Sequence, residues 1–408
     1  MKTDRDHSGS DSGRRWVILG VMYLCTLAFA FAMQSLPPVL TLIMGELELS
    51  HAQAGSLMSF FALPGIIVSI PMGLLSDRYN PKAIGAISLV LTIAGIALFA
   101  SGDAFPVMAL GRFVSGAGAI TLVIVAPQLL AQWFVGREIG IAMGVFNTAM
   151  PLGSVLSLNF LSVLGGRLGW RASVWFSAGV ALLALVVFLL FFAPAPKKGK
   201  PLSGPPEPLL EGLRLTGSSI WLVGAAWMLY NAATISMYTF TPGLLKANGF
   251  SIASAGFHTS LFLWPALFLG PFVGYVIDKR DHKASLIGVA GILLALLMAW
   301  IPSTTGWLVA LILLIGMGQS MVPTPIYALV PDVVRPERLG LGYGIVTSCV
   351  NLGIVVGPFT TGLIKDVSGS YQGSYLLMAG YAGLVTVSMI LLGLKRRHPL
   401  PPLPTRKP

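Results

Sequence analysis

Few side chains able to carry charge or transfer a proton fall within the long apolar stretches of this 408-residue sequence. One arginine, Arg112, and one histidine, His258, lie inside such stretches. All fifteen acidic residues occupy polar segments or stretch ends, Glu46, Glu48 and Asp103 among them. A nucleophile with its base, or a set of metal ligands, must converge from several elements, and these residues offer no such cluster. No G-x-x-x-x-G-K-S/T phosphate loop occurs either. The sequence therefore predicts no enzyme, no metal and no cofactor.

What remains is the chemistry of holding a solute. Arg112 stands about seven residues, roughly 10 Å, from one end of its stretch. It can hold an anionic group, tune a nearby proton site, or snorkel to lipid headgroups. His258 is the possible coupling residue, the one ordinary group within a stretch that titrates near neutral pH. Tyr230, Thr234 and Tyr238 are spaced by four, so they share a helical face with Asn231 beside it. Such an aromatic, hydrogen-bonding wall suits an organic solute. With no carboxylate at mid-depth, a symporter built on one is disfavoured. A uniporter, an exchanger, or coupling through His258 or a carboxylate at a stretch end remains. The acid-free interior also leans the solute toward a negative group.

The elements that position these residues follow from composition. The chain is 55% hydrophobic and 10% charged, against roughly a quarter charged in soluble domains. Its surface must therefore face a lipid bilayer. A formal charge of +11 could suggest nucleic acid, but the basic residues lie between apolar runs instead of on one face, so no nucleic-acid partner is expected. Cys25 and Cys349 lie within apolar runs and read as free thiols.

Twelve runs reach the roughly 20 residues that a spanning helix needs. Six run from Trp16 to Leu40, Gln53 to Leu75, Ala83 to Ser101, Phe105 to Phe134, Ile139 to Leu164 and Ala172 to Ala193. Six more run from Ser219 to Leu245, Ala253 to Ile277, Ala284 to Ile301, Gly306 to Val330, Gly340 to Ile364 and Ser374 to Leu394. An all-α membrane protein is expected, with a tail over 1–15, bundles over 16–193 and 219–394, a linker over 194–218 and a second tail over 395–408. With both tails inside, 21 basic residues fall on the cytoplasmic side and four, Arg167, Arg171, Lys246 and Lys365, outside. The positive-inside bias thus places both termini in the cytoplasm. A short chain without a cleavable signal suits a bacterial inner membrane.

The two halves repeat. Gly73 and Asp77 recur as Gly274 and Asp278, 201 residues on. Gly116, Gly118, Gly140, Gly144 and Gly153 recur as Gly316, Gly318, Gly340, Gly344 and Gly353, 200 residues on. Internal repeats of this length mark carriers.

The loop after the second run, Gly73-Leu74-Leu75-Ser76-Asp77-Arg78-Tyr79-Asn80-Pro81-Lys82, resembles the G-x-L-x-D-R-x-G-R-K signature of the major facilitator superfamily, departing from it at Asn80 and Pro81. Arg112-x-x-x-Gly116-x-Gly118-Ala119 looks like a second motif of that family. The resemblance covers residues 16 to 394. It implies twelve helices in two pseudo-symmetric six-helix bundles around a cavity, opened to each side in turn. It implies that Gly73, Asp77, Arg78, Gly274 and Asp278 act in conformational gating. It also implies that the first, fourth, seventh and tenth helices line the cavity, which makes Gln34, Arg112, Tyr230, Asn231, Tyr238 and Gln319 the substrate-binding candidates.

Gly116, Gly118, Asn147, Pro151, Gly153, Asn351, Gly353, Gly357 and Pro358 are expected in helix packing or kinking. The adjacent Gly-Pro pair of family antiporters is missing from helix five. A nitrate-type carrier is disfavoured, because that branch uses arginines in helices two and eight and none occurs here. The expected protein is a monomeric secondary or facilitative transporter of a small organic solute. The alternatives are a drug or metabolite exporter of the same fold, or a transporter-like sensor or assembly partner.

Overall fold

The computed structural model describes residues 6–75, 80–134, 138–194, 216–279, 282–304, 306–335 and 338–397. Among them the regular structure is helical, and twelve spans are long and apolar enough to cross a membrane. In chain order these are span 1 Gly13–Leu47, span 2 His51–Ser69, span 3 Pro81–Ser101, span 4 Phe105–Pro127, span 5 Ile141–Leu168 and span 6 Trp170–Phe191. Span 7 is Ser219–Ala247, span 8 Ile252–Leu269, span 9 Lys283–Ser303, span 10 Leu308–Val333, span 11 Leu341–Ser368 and span 12 Tyr371–Lys395. We call the face where span 1 begins and span 12 ends the terminal face, and the other the distal face.

Burial follows the logic of lipid as solvent. Large apolar side chains such as Leu190, Phe268 and Val367 point outward at 70%, 71% and 78% exposure. Small and hydroxyl residues, including Ser154, Ser157, Ser162, Ser173 and Ser177, are buried. Lipid tails are as apolar as leucine, so helices associate through close packing and hydrogen bonds, which small residues permit.

The first helix begins at Asp6, ten residues ahead of the expected start at Trp16. Arg15 pairs with Glu138 at 2.8 Å and lies over Phe134, which Trp16 also meets edge-on. Those contacts anchor the helix beyond the apolar run. Span 1 also ends later than expected, at Leu47 instead of Leu40. Pro37 and Pro38 break the helix after Met33, but a short 3-10 turn, Pro37–Val39, hands it on to a further helix, Leu40–Leu47. At the distal face Arg171 bonds both Glu46 and Asp103, and Trp170 Nε1 donates to Glu46 at 2.8 Å. The ends of spans 1, 3 and 6 are thereby joined.

Prolines explain the other interruptions. A proline lacks an N–H and its ring displaces the carbonyl four residues earlier. Span 5 changes helix at Thr148 before Pro151, span 8 between Ser260 and Trp264 before Pro265, and span 10 between Ser320 and Pro323. Pro127, Pro242 and Pro358 are instead carried within continuous helices.

The repeat has a structural counterpart. A Cβ on Gly116 would overlap the Phe61 carbonyl of span 2, and one on Gly316 the Phe262 carbonyl of span 8. Gly153 lies against Leu27 and Ala30 of span 1, and Gly353 against Met228 of span 7. Gly118 packs on span 3 at Ser88 and Thr92, and Gly318 on span 9 at Leu293 and Leu294. Equivalent glycines thus admit equivalent neighbours in each half, and two pseudo-symmetric six-helix bundles result. The proposed gating residues Asp77 and Arg78, the linker core and the outermost tail residues lie outside the described residues. Gly73, Gly274 and Asp278 sit on described helical backbone.

Candidate functional site

The polar residues at mid-depth are organised by carbonyls that the helix breaks leave without donors. In a bilayer no water replaces a lost donor, so another part of the protein must supply one. Arg112 does so for span 1. Its Nη1 donates to the Ala32 carbonyl at 2.7 Å and to Ser35 Oγ at 3.2 Å, and its Nη2 to the Met33 carbonyl at 3.2 Å. Nε donates to the Leu57 carbonyl of span 2 at 3.0 Å, and Met58 Sδ lies 3.4 Å from Nη2. The Phe61 and Phe99 rings flank the guanidinium, at 4.5 and 5.6 Å from their centroids.

Arg112 is 1% exposed. The expectation that it faces the cavity is therefore corrected for this conformation: five donors need acceptors, and the broken end of span 1 supplies the nearest ones. No carboxylate is among its partners.

Gln319 plays the corresponding part in the second half. Its Nε2 donates to the Phe262 carbonyl at 2.9 Å, inside the span 8 break. Its own carbonyl, four residues before Pro323, accepts from Tyr230 Oη at 3.1 Å, and its Oε1 accepts from the same hydroxyl at 3.1 Å. Tyr238 Oη stands 3.5 Å from that Oε1. Spans 7, 8 and 10 are tied together at this point.

Asn231 returns its Nδ2 to the Trp227 carbonyl of its own helix at 2.8 Å. Gln34 differs from the rest. Its backbone carbonyl, four residues before Pro38, accepts from Ser157 Oγ at 3.4 Å, but its buried Oε1 has no hydrogen-bond partner among the described residues. His258 lies with Nδ1 2.7 Å from the Ser254 carbonyl and 3.1 Å from Ser254 Oγ, between the Phe250 and Phe257 rings. It is engaged with its own helix.

The candidates thus form two groups, Gln34 with Arg112 in one bundle and Tyr230, Tyr238 and Gln319 in the other. Apart from Asn351, which was expected in helix packing, the residues that join the bundles were not singled out by the sequence reading. Asn159 Nδ2 of span 5 donates to Ser260 Oγ of span 8 at 3.0 Å, and Gly256 packs onto Leu158 and Ser162. Span 2 meets span 11 through Ser59 Oγ donating to the Val355 carbonyl and Asn351 Nδ2 to Ser69 Oγ at 3.4 Å. Tyr371 and Thr41 approach Gly243 near where spans 1 and 7 end and span 12 begins. The useful signal was present: a proline within a span marks a freed carbonyl four residues back and calls for a donor.

Twelve spans in two facing bundles, with broken helices meeting at mid-depth, define a secondary transporter that works by alternating access. The chain belongs to the Major Facilitator Superfamily, whose family model matches residues 22–243 and 222–408. It is similar to the hexuronate transporter of Bacillus subtilis (strain 168), 24% identical over 369 residues, 85% of this chain and 87% of that one. It is also similar to the lysosomal dipeptide transporter MFSD1 of Danio rerio, 23% identical over 376 residues, 86% of this chain and 81% of that one. Among solved structures, a mutant form of the nucleoside transporter NupG superposes with a TM-score of 0.79 at 14% identity, covering 92% of this chain and 99% of that one. That likeness concerns the fold.

Proposed function

We propose that this transporter carries a small organic solute bearing a carboxylate, with both termini on the cytoplasmic side of a bacterial inner membrane. One observation carries the reading. Arg112 is a cation buried within the spans, and its acceptors are carbonyls, a hydroxyl and a thioether, none of them a carboxylate. Its charge therefore stays uncompensated and acts through its field. A solute carboxylate about 8 Å away would be held by roughly 2 kcal/mol at an effective dielectric constant near 20. The named solutes of two relatives, a hexuronate and a dipeptide, both carry a carboxylate.

Gln34, next to the Arg112 partner Ser35, offers a buried carboxamide oxygen with no partner among the described residues. On this reading it receives a hydroxyl or amine of the solute, while Tyr230, Tyr238, Asn231 and Gln319 form the opposite wall. Arg112 sets charge preference without contact. His258 is a secondary candidate for coupling.

The test is counterflow in proteoliposomes, with labelled sugar acids, dipeptides, nucleosides and amphipathic cations offered outside and each batch preloaded with the unlabelled form of the compound offered. Carboxylate-bearing solutes should exchange in wild type, and Gln34→Leu should raise their KM. Exchange confined to uncharged or cationic compounds would overturn the proposal.

A further inference from the structure

A fully charged side chain makes hydrogen bonds from one bundle to the other. It is Asp366, at the distal end of span 11. Its Oδ1 accepts the His51 backbone N–H at 2.9 Å and lies 2.9 Å from His51 Nδ1; its Oδ2 accepts the Ala52 N–H at 2.8 Å. His51 and Ala52 open the helix of span 2.

The first N–H groups of a helix have no partner within it, and the helix dipole places partial positive charge there. A carboxylate of the second bundle thus caps a helix of the first. Ionised acceptors make hydrogen bonds about twice as strong as neutral ones.

The backbone below the cap is in contact. A Cβ on Gly362 would overlap the His51 carbonyl, and one on Gly55 the Pro358 carbonyl. Ser59 Oγ then donates to the Val355 carbonyl one turn further in. The cap is partly screened from water, with Phe240 and Tyr371 rings 6.5 and 6.3 Å from that of His51 and Lys365 over Tyr371. The His51 and Asp366 side chains retain 28% and 26% exposure.

We infer that Asp366 is the latch of the distal gate, a gating residue of the transport cycle: its carboxylate on the first turn of span 2 holds this face closed. When the bundles rock apart at the distal face, the cap must separate and both sides be rehydrated. The bond therefore exists on one side of the equilibrium and biases it by its full differential strength. Removing it shifts the resting population toward the distal-open state. The inference rests on alternating access and not on the chemistry of the solute, so it stands or falls separately from the carboxylate reading.

The experiment needs no solute. Spin labels at Leu168 and Asn248, on the distal ends of spans 5 and 7, report gate opening as a distance distribution in nanodiscs, with Cys25 and Cys349 replaced. Asp366→Asn should raise the distal-open to distal-closed ratio by about 10-fold, the expected loss on replacing charge-assisted bonds at a helix start. His51→Pro should act in the same direction. Proline is favoured at the first helical position and removes both donors to Oδ1 while leaving Asp366 intact. Ser59→Ala, which deletes a neutral cross-bundle bond, should move the ratio less than either. A wild-type distance distribution in a folded, monodisperse Asp366→Asn or His51→Pro variant overturns the inference.

Discussion

Arg112 shows how one side chain can look like a ligand-binding group in sequence and act as a scaffold in structure. In sequence it is a cation in lipid with no visible partner. Its acceptors, Ala32, Met33 and Leu57, lie 55 to 80 residues away in the chain. No local pattern announces them except the proline pair Pro37-Pro38 that frees part of span 1. Arg112→Met withdraws a donor from three buried carbonyls; Ala32 keeps Ser35 Oγ and Leu57 lies in an unbroken helix, so the Met33 carbonyl, four residues before Pro37, bears most of a cost of about 1–3 kcal/mol. Thermal unfolding in detergent should show a lowered Tm and reduced folded yield, with Arg112→Lys intermediate because a single ammonium cannot reach all three. A wild-type Tm for Arg112→Met would show that the carbonyls find other donors. Tyr230→Phe removes one bond to the Gln319 carbonyl and should cost about 1 kcal/mol. Because Gln319 Nε2 still holds Phe262, the variant should fold and its Tm should fall only modestly.

At the scale of elements, span count, order and the glycine repeat were legible because hydropathy and small-residue spacing are local properties. The ends were less so. Span 1 runs on to Leu47 because a 3-10 turn bridges the prolines, and the first helix starts at Asp6 because Arg15 and Trp16 find Glu138 and Phe134. The second depends on partners more than a hundred residues away. Which glycines matter is likewise a matter of contact. Gly116 abuts the Phe61 backbone, whereas Gly144, equally part of the repeat, has nothing within 4 Å of a built Cβ. Gly116→Ala should therefore abolish folded expression, and Gly316→Ala should do the same through Phe262. Gly144→Ala should be neutral or stabilise by about 0.5–1 kcal/mol through helix propensity. Fluorescence-detected size-exclusion of the three variants checks this, and a monodisperse Gly116→Ala peak at wild-type yield would contradict it.

For the whole molecule, the two bundles meet at the distal face through spans 2 and 11 and spans 5 and 8. The sequence indicated a rocking carrier through its repeat, but not which face this conformation closes. That depends on pairs such as His51 with Asp366, 315 residues apart. The substrate wall was partly legible. The list of polar residues was assembled from spans 1, 4, 7 and 10, yet three of the six spend their donors on freed carbonyls and only the Gln34 carboxamide oxygen is left over.

The central claim is that an uncompensated buried cation selects a carboxylate-bearing solute, and the most direct measurement is binding by matched pairs. Purified protein in nanodiscs is heated with each of a panel of small carboxylates and with the uncharged methyl ester of the same compound. Ligand that binds the folded state raises Tm by mass action. The account predicts that at least one acid raises Tm while its ester, of nearly the same shape, does not. Equal stabilisation by acid and ester, or stabilisation by neutral and cationic compounds alone, would contradict it.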